Sequence, residues 1–279
     1  MGKNKGVQLA VAFLLSLGLS VPAAFAAEMI RIGGNGSALG AMRALGEAFK
    51  KQYPNMEVVV VPGLSSGGGR KALMGGALDV AVTSRPWKGA EKLDGAVARL
   101  YGWSPFVMAV TSKNPTANLT IQDILDIYSG KKTSWPDGQR LRLILRPLTD
   151  SDTEMLLNIG PDMEQAVRSA HQREGMKIAI TDEESAEATQ STPGAVGTST
   201  VALIVSERRP LKALSIKGVV PSVKSIADGS YPWFKSFYLV TKADSSPSSR
   251  SFVEFVLSAR GRQLLSTLGY GLPMTQPAP

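Results

Sequence analysis

Hydrophobic and polar positions alternate along this chain in a repeating order of strand, Gly-rich turn and helix. Met29-Ile30-Arg31-Ile32-Gly33 reads as a short strand and Gly34-Asn35-Gly36-Ser37 as a turn. Leu39, Met42, Leu45, Ala48 and Phe49 then recur at helical spacing until Tyr53-Pro54-Asn55 ends the run. Glu57 to Val61 is a β-branched run of the kind buried in a parallel sheet. Gly63 to Gly69 is a second Gly/Ser loop, followed by a helix from Arg70 to Met74 and a strand from Leu78 to Val82. Further on, strands are predicted over Phe106–Thr111, Leu141–Leu145, Leu214–Ile216 and Phe237–Thr241. Helices are predicted from Ile121 to Tyr128 with Thr120 as cap, over Met155–Ile159 and Met163–His171, and from Pro247 to Leu268. Such alternation predicts an α/β fold with a mostly parallel sheet.

The first 26 residues fall outside this pattern. Lys3 and Lys5 precede an apolar run from Val7 to Val21, and Pro22-Ala23-Ala24-Phe25-Ala26 has the small residues of a cleavage site. The run is too short to span a bilayer and is read as a Sec signal peptide. No cysteine follows it, so an acylated anchor is not expected. The expected location is an exported compartment, the periplasm.

Composition narrows the chemistry. The 279 residues contain no cysteine and one histidine, His171, which removes thiolate metal sites, cysteine nucleophiles and His-rich metal centres. The formal net charge is +8, and +6 once Lys3 and Lys5 are removed. These charges are dispersed rather than clustered, so nucleic acid is not an expected partner. No cofactor is expected. Gly34-x-Gly36-x-x-x-Gly40 misses the dinucleotide spacing by one residue, and the next strand ends Val60-Val61-Pro62 without an acid for a ribose. Neither a Gly-Lys-Ser/Thr loop nor a Gly-x-Ser-x-Gly elbow is present.

Three loops share one chemical character. Gly34-Asn35-Gly36-Ser37, Ser65-Ser66-Gly67-Gly68 and Asp150-Ser151-Asp152-Thr153 each place small polar residues and free N–H groups before a helix. Arg146 leads into the third. Helix starts carry partial positive charge and unpaired donors, which suit a small oxyanion, although ordinary capping uses the same residues. In open α/β sheets such loops gather at the carboxyl ends of strands, where ligands bind. His171, among Arg168, Gln172 and Arg173, reads as a solvated helix residue rather than a base. Asp182-Glu183-Glu184 with Glu187 reads as a solvated helix start, since acids suit a first turn and the pattern is not a calcium loop. Trp87, Trp103, Trp135 and Trp233 read as packing residues.

Taken in order, these segments resemble the periplasmic phosphate-binding proteins of ABC transporters, within the type II solute-binding fold. The likeness rests on the two Gly/Ser loops, on Leu78 to Pro86 ending in Ser84-Arg85-Pro86, and on Leu119 to Lys131 with Trp135. It rests also on Phe252 to Gly261 followed by Gly269-Tyr270 and Pro273. The resemblance implies two α/β lobes joined by two hinge crossovers near Thr111 and Tyr238. Lobe I would take residues 27–111 and 240–279, and lobe II residues 112–239. It implies a monomer that binds an oxyanion, phosphate first, and hands it to an ABC permease, with no catalysis.

Carried over by position, Gly36 and Ser37 would serve the anion from the first loop, and Ser65 and Ser66 from the second. Ser84 stands where some members carry a proton-accepting aspartate. Arg146 would supply the guanidinium, with Ser151, Asp152 and Thr153 at a Ser-Gly-Thr loop. Here Asp152 replaces that loop's glycine, Asp150 stands beside it, and the loop is one residue longer. A carboxylate there either accepts a proton from the ligand or marks a pocket for something other than free phosphate. Arg146 either binds the anion or braces the loop through Asp150 or Asp152. Two rivals remain: a secreted signalling or adhesion paralogue without transport, and a serine hydrolase, which lacks a placed base.

Overall fold

A computed structural model describes residues 27–84 and 95–272. The expected signal peptide, Arg85, Pro86, Trp87, Pro273 and the C-terminal tail lie outside the described residues. β1 (Glu28–Gly34) runs through a one-turn 3-10 helix, Gly36–Ala38, into α1 (Leu39–Gln52), then β2 (Met56–Val61), α2 (Ser66–Met74) and β3 (Val80–Thr83). β4 (Ala96–Thr111), β5 (Asn118–Leu119), α3 (Ile121–Ser129) and β6 (Arg142–Leu145) follow. α4 (Ser151–Leu157), α5 (Pro161–Gln172), β7 (Lys177–Ile178), α6 (Asp182–Ser191), β8 (Ala195–Thr200) and α7 (Val201–Ser206) come next. The chain closes with β9 (Leu211–Ala213), β10 (Ser215–Ile216), α8 (Val223–Ala227), β11 (Phe234–Lys242), α9 (Pro247–Leu257) and α10 (Ala259–Thr267).

The main sheet has the order β2-β1-β3-β11-β4-β8-β6-β7, with β9 added beside β4. Pairing is parallel at both flanks, between β1, β2 and β3 and between β6, β7 and β8. The centre is antiparallel, because β4 and β11 run side by side along most of their length. The predicted strand Phe106–Thr111 is therefore only the second half of a 16-residue strand. Residues up to Pro105 pair with β11, and residues from Phe106 pair with β8. Proline cannot donate a ladder hydrogen bond, which suits the point where the strand changes partner. Next to it, buried Ser104 donates to the Gly269 carbonyl and accepts from the Ala202 amide, fixing β4 against α7 and the C-terminal segment.

β2 is half-buried throughout rather than enclosed, because it is the edge strand of the sheet. The predicted long C-terminal helix is broken at Ser258, which has extended backbone and accepts the Gly261 amide as the cap of α10. Thr120 caps α3 in a reciprocal box with Asp123, and Gly130 ends that helix in the left-handed conformation.

Two large apolar clusters hold the structure. One joins Ile30, Ile32, Leu45 and Phe49 to Tyr101, Phe237, Phe252, Phe255 and Tyr270. Phe49 meets Phe252 edge-on, with ring centres 5.3 Å apart, so α9 packs on α1. The other joins Phe106, Met108 and Val110 to Ile124, Tyr128, Trp135, Leu145, Val167 and Tyr231. β4 contributes to both clusters, with Tyr101 in the first and Phe106 in the second. Among the described residues no helix is long and apolar enough to cross a membrane.

Candidate functional site

The first Gly/Ser loop is already engaged. Gly36 and Ser37 are buried, and the partner of both is the carboxylate of Asp182 at the start of α6. The Gly36 amide donates to Asp182 Oδ2 over 3.1 Å, and the Ser37 hydroxyl donates to Oδ1 over 2.7 Å. Asn35 Nδ2 adds a third donor at 3.3 Å. Thr181, not Asp182, caps α6 by accepting the Glu184 amide, so this carboxylate is free to serve the opposite loop. Gly36 permits the approach. A Cβ built there would lie 2.0 Å from Glu183 Oε2 and 2.9 Å from Asp182 Cβ.

Two buried cations stand on the far side of Asp182. Arg146 leaves the carboxyl end of β6 with its Nη2 3.7 Å from Asp182 Oδ2. Its nearer partners are Asp150, at 2.8 Å, and the Ala179 carbonyl, at 2.8 Å. Its Nε makes no hydrogen bond among the described residues. Lys235, on β11, has its Nζ 3.9 Å from Asp182 Oδ1 and forms a buried ion pair with Asp152. Three carboxylates, Asp150, Asp152 and Asp182, thus meet two cations in one enclosed space. Burial, with Asp150 adding repulsion, pushes the Asp182 carboxyl above its ordinary value, against Arg146, Ser37 and Gly36. Burial likewise pushes the Lys235 ammonium down to about 8. Glu183 is raised by burial and by Asp182 and Glu207 nearby.

The second and third loops meet each other. Ser66 Oγ is 3.4 Å from Ser84 Oγ, which is 3.1 Å from Ser151 Oγ. Lys235 Nζ donates to Ser151 over 3.1 Å, which ends this hydroxyl chain on the buried cation. Ser65 is spent as the cap of α2, accepting the Gly68 amide. Thr153 is buried and donates its hydroxyl to the Arg146 carbonyl. Asp150 caps α4 by accepting the Asp152 amide. The structure therefore brings Gly36, Ser37 and Arg146 around Asp182, and Ser151 and Asp152 around Lys235, with Ser84 and Ser66 linked on in turn from Ser151. Ser65 and Thr153 hold local backbone instead.

Two readings from sequence are corrected here. The Asp182 start of α6 is not solvated: Asp182 is 4% exposed, because the loop of β1 covers it. His171 is half-buried rather than free, with Nε2 2.8 Å from the Arg146 carbonyl and Nδ1 2.9 Å from that of Val167. Lys235 carried no motif. Its one sequence signal was a lysine between Phe234 and Phe237 on an alternating strand.

Two α/β cores, one long strand serving both, and polar loops gathered where the parallel strands end define a periplasmic-binding-protein fold. The chain belongs to the PBP superfamily, whose domain model matches residues 20–260. It is 24% identical over 261 residues to the phosphate-binding protein PstS of Bacillus subtilis, covering 90% of this chain and 82% of that one. It is 25% identical over 261 residues to the protein SphX of Synechococcus elongatus, covering 84% and 74%. In three dimensions it is similar to a substrate-binding protein of Clostridium perfringens solved with bound phosphate. That match has a TM-score of 0.75 and 22% identity, over 88% of this chain and all of that one. The periplasmic molybdate-binding protein of Azotobacter vinelandii matches with a TM-score of 0.63 and 16% identity, over the same shares.

Proposed function

We propose that this protein captures a small tetrahedral oxyanion, most simply phosphate, between two lobes and presents it to an ABC permease. One observation carries the reading. The loop of Gly36 and Ser37 holds an anionic group now, in the form of the Asp182 carboxylate, with Arg146 and Lys235 within 3.9 Å of it. The backbone N–H, hydroxyl, guanidinium and ammonium are the donors that a desolvated oxyanion needs. The names of the curated relatives support phosphate as the first candidate. The PstS name is that of a binding protein, which supports a role without catalysis. The relatives' names do not favour the signalling or adhesion paralogue.

The same reading takes lobe I as residues 27–111 and 240–279 and lobe II as residues 112–239. Each apolar cluster draws mostly on one of these spans, which supports the division, with Phe106, Met108 and Val110 packing among lobe II residues and Ala202, Phe237 and Leu239 among lobe I residues. The change of partner at Pro105–Phe106 supports a crossover earlier on β4 than Thr111. Gly36, Ser37, Ser66, Ser84, Arg146, Ser151 and Lys235 form the ligand set. The site is expected to act in the periplasm, after cleavage of the leader, in a monomer. Isothermal titration with phosphate, sulfate and molybdate tests the binding. One saturable site for at least one of them is expected, and the absence of heat with all three removes the proposal.

A further inference from the structure

We propose that Asp182 is a built-in occupant of the oxyanion seat, so that this chain takes up a free anion only by exchange with its own carboxylate. The inference rests on the oxyanion reading above and goes beyond it by naming what the ligand must displace.

The argument is geometric. Three donors of the first loop are spent on Asp182: the Gly36 amide, the Ser37 hydroxyl and the Asn35 amide group. The bonds reach across 145 to 147 residues of sequence, so they tie α6 to the end of β1 rather than shaping a local turn. Beyond these bonds, Asp182 has only its two longer ion contacts among the described residues. Thr181 caps its helix, and its two cationic neighbours have closer partners in Asp150 and Asp152. A carboxylate presents two oxygens to the loop much as two oxygens of a tetrahedral anion would.

Electrostatics make the exchange obligatory rather than optional. Asp182 faces Arg146 and Lys235, but also Asp150, and Asp152 stands behind Lys235. Adding a free oxyanion beside a docked Asp182 would place another negative charge against three carboxylates in a space closed to water. Like charges at such distances in low dielectric repel strongly. Withdrawal of Asp182 removes one of them and frees all three loop donors at once. Glu183 leaves with it, which takes a second, half-buried carboxyl away from the side of Gly36 where a Cβ would stand.

Titration of inorganic phosphate into the wild-type protein, Asp182→Ala and Asp182→Asn tests the exchange. Both variants are expected to bind about tenfold tighter or more, Asp182→Ala the more so, since a competing charge-assisted contact is removed. Asp182→Asn keeps an acceptor for Ser37 and serves if the alanine variant does not fold. Adding Ser37→Ala to Asp182→Ala is expected to cancel most of the gain, because the phosphate then sits where Asp182 sat. Wild-type binding that neither substitution tightens overturns the exchange and leaves the oxyanion reading standing. No binding of phosphate, sulfate or molybdate by the wild type or either variant overturns the oxyanion reading, and the exchange falls with it.

Discussion

The hydroxyl of Ser37 and the carboxylate of Asp182 lie 2.7 Å apart across 145 residues of sequence, and both are buried. That bond joins the turn after β1 to the start of α6. The first Gly/Ser loop and an acid of a helix's first turn are therefore one device.

Arg146 serves this device from behind. Its hydrogen bonds to Asp150 and the Ala179 carbonyl hold it beside Asp182. Lysine keeps the charge but cannot reach both partners with a planar fork. Arg146→Lys is expected to cost the ligand-free protein about 1.5–3 kcal/mol, the value of one charged hydrogen bond. It is also expected to lose the rise in melting temperature that phosphate confers. Thermal melts with and without phosphate read both effects, and an upshift that persists in the variant would remove Arg146 from the ligand set.

Lys235 and Asp152 form an ion pair with both side chains 2% exposed. Removing one partner strands the other charge, at a cost of about 3–5 kcal/mol. Lys235→Met and Asp152→Leu are each expected to destabilise by that order, and the double variant by much less than their sum. A urea-denaturation cycle measures the coupling. Additive losses would show that the pair does not act as a unit.

Acidity reports on the docked carboxyls. Asp182 and Glu183 both have raised values in the folded protein, chiefly through burial. The folded state then holds protons that the unfolded chain has released, in the range above the ordinary carboxyl value. Stability from these two groups is present at low pH and declines as pH rises through their folded values. Asp182 is faced by Arg146, Lys235 and Asp150, and Glu183 by Glu207, so the decline belongs to the cluster. Asp182→Asn is expected to flatten melting temperature against pH above the ordinary carboxyl value of about 4. An unchanged slope would place the proton uptake elsewhere.

Gly36→Ala tests the fit of loop to acid pair. The added methyl meets Glu183 Oε2 at 2.0 Å and Asp182 Cβ at 2.9 Å. The glutamate end can swing away, but Asp182 Cβ is tied to the helix backbone. A loss of about 1–3 kcal/mol is expected, as for other overpacked contacts, together with a larger radius of gyration by solution scattering. A variant as compact and stable as the wild type would show that the contact is loose.

Much of this was legible in the sequence, and the exceptions have physical causes. Gly34 to Ser37, Ser65 to Gly69 and Asp150 to Thr153 announce themselves because turns and helix starts use few residue types. Within those loops, sequence could not separate a ligand hydroxyl from a cap. Ser65 turned inward to Gly68 while its neighbour Ser66 reached Ser84. Asp182 was hidden because an acid in a first turn is ordinary, and its burial comes from a loop far away in the chain. Lys235 was hidden because its ion pair with Asp152 spans 83 residues. The sequence pattern shows only the last part of β4, since Arg99 breaks the apolar run early in the strand and Pro105 breaks it where the strand changes partner.

Equilibrium dialysis of radiolabelled phosphate against the wild-type protein and Asp182→Ala, with unlabelled sulfate and molybdate as competitors, goes straight to the central claim. One saturable site per chain is expected, tighter in Asp182→Ala and lost when Arg146→Ala is added. No saturable phosphate in either protein, at any competitor setting, would contradict the account of this cleft as an oxyanion site.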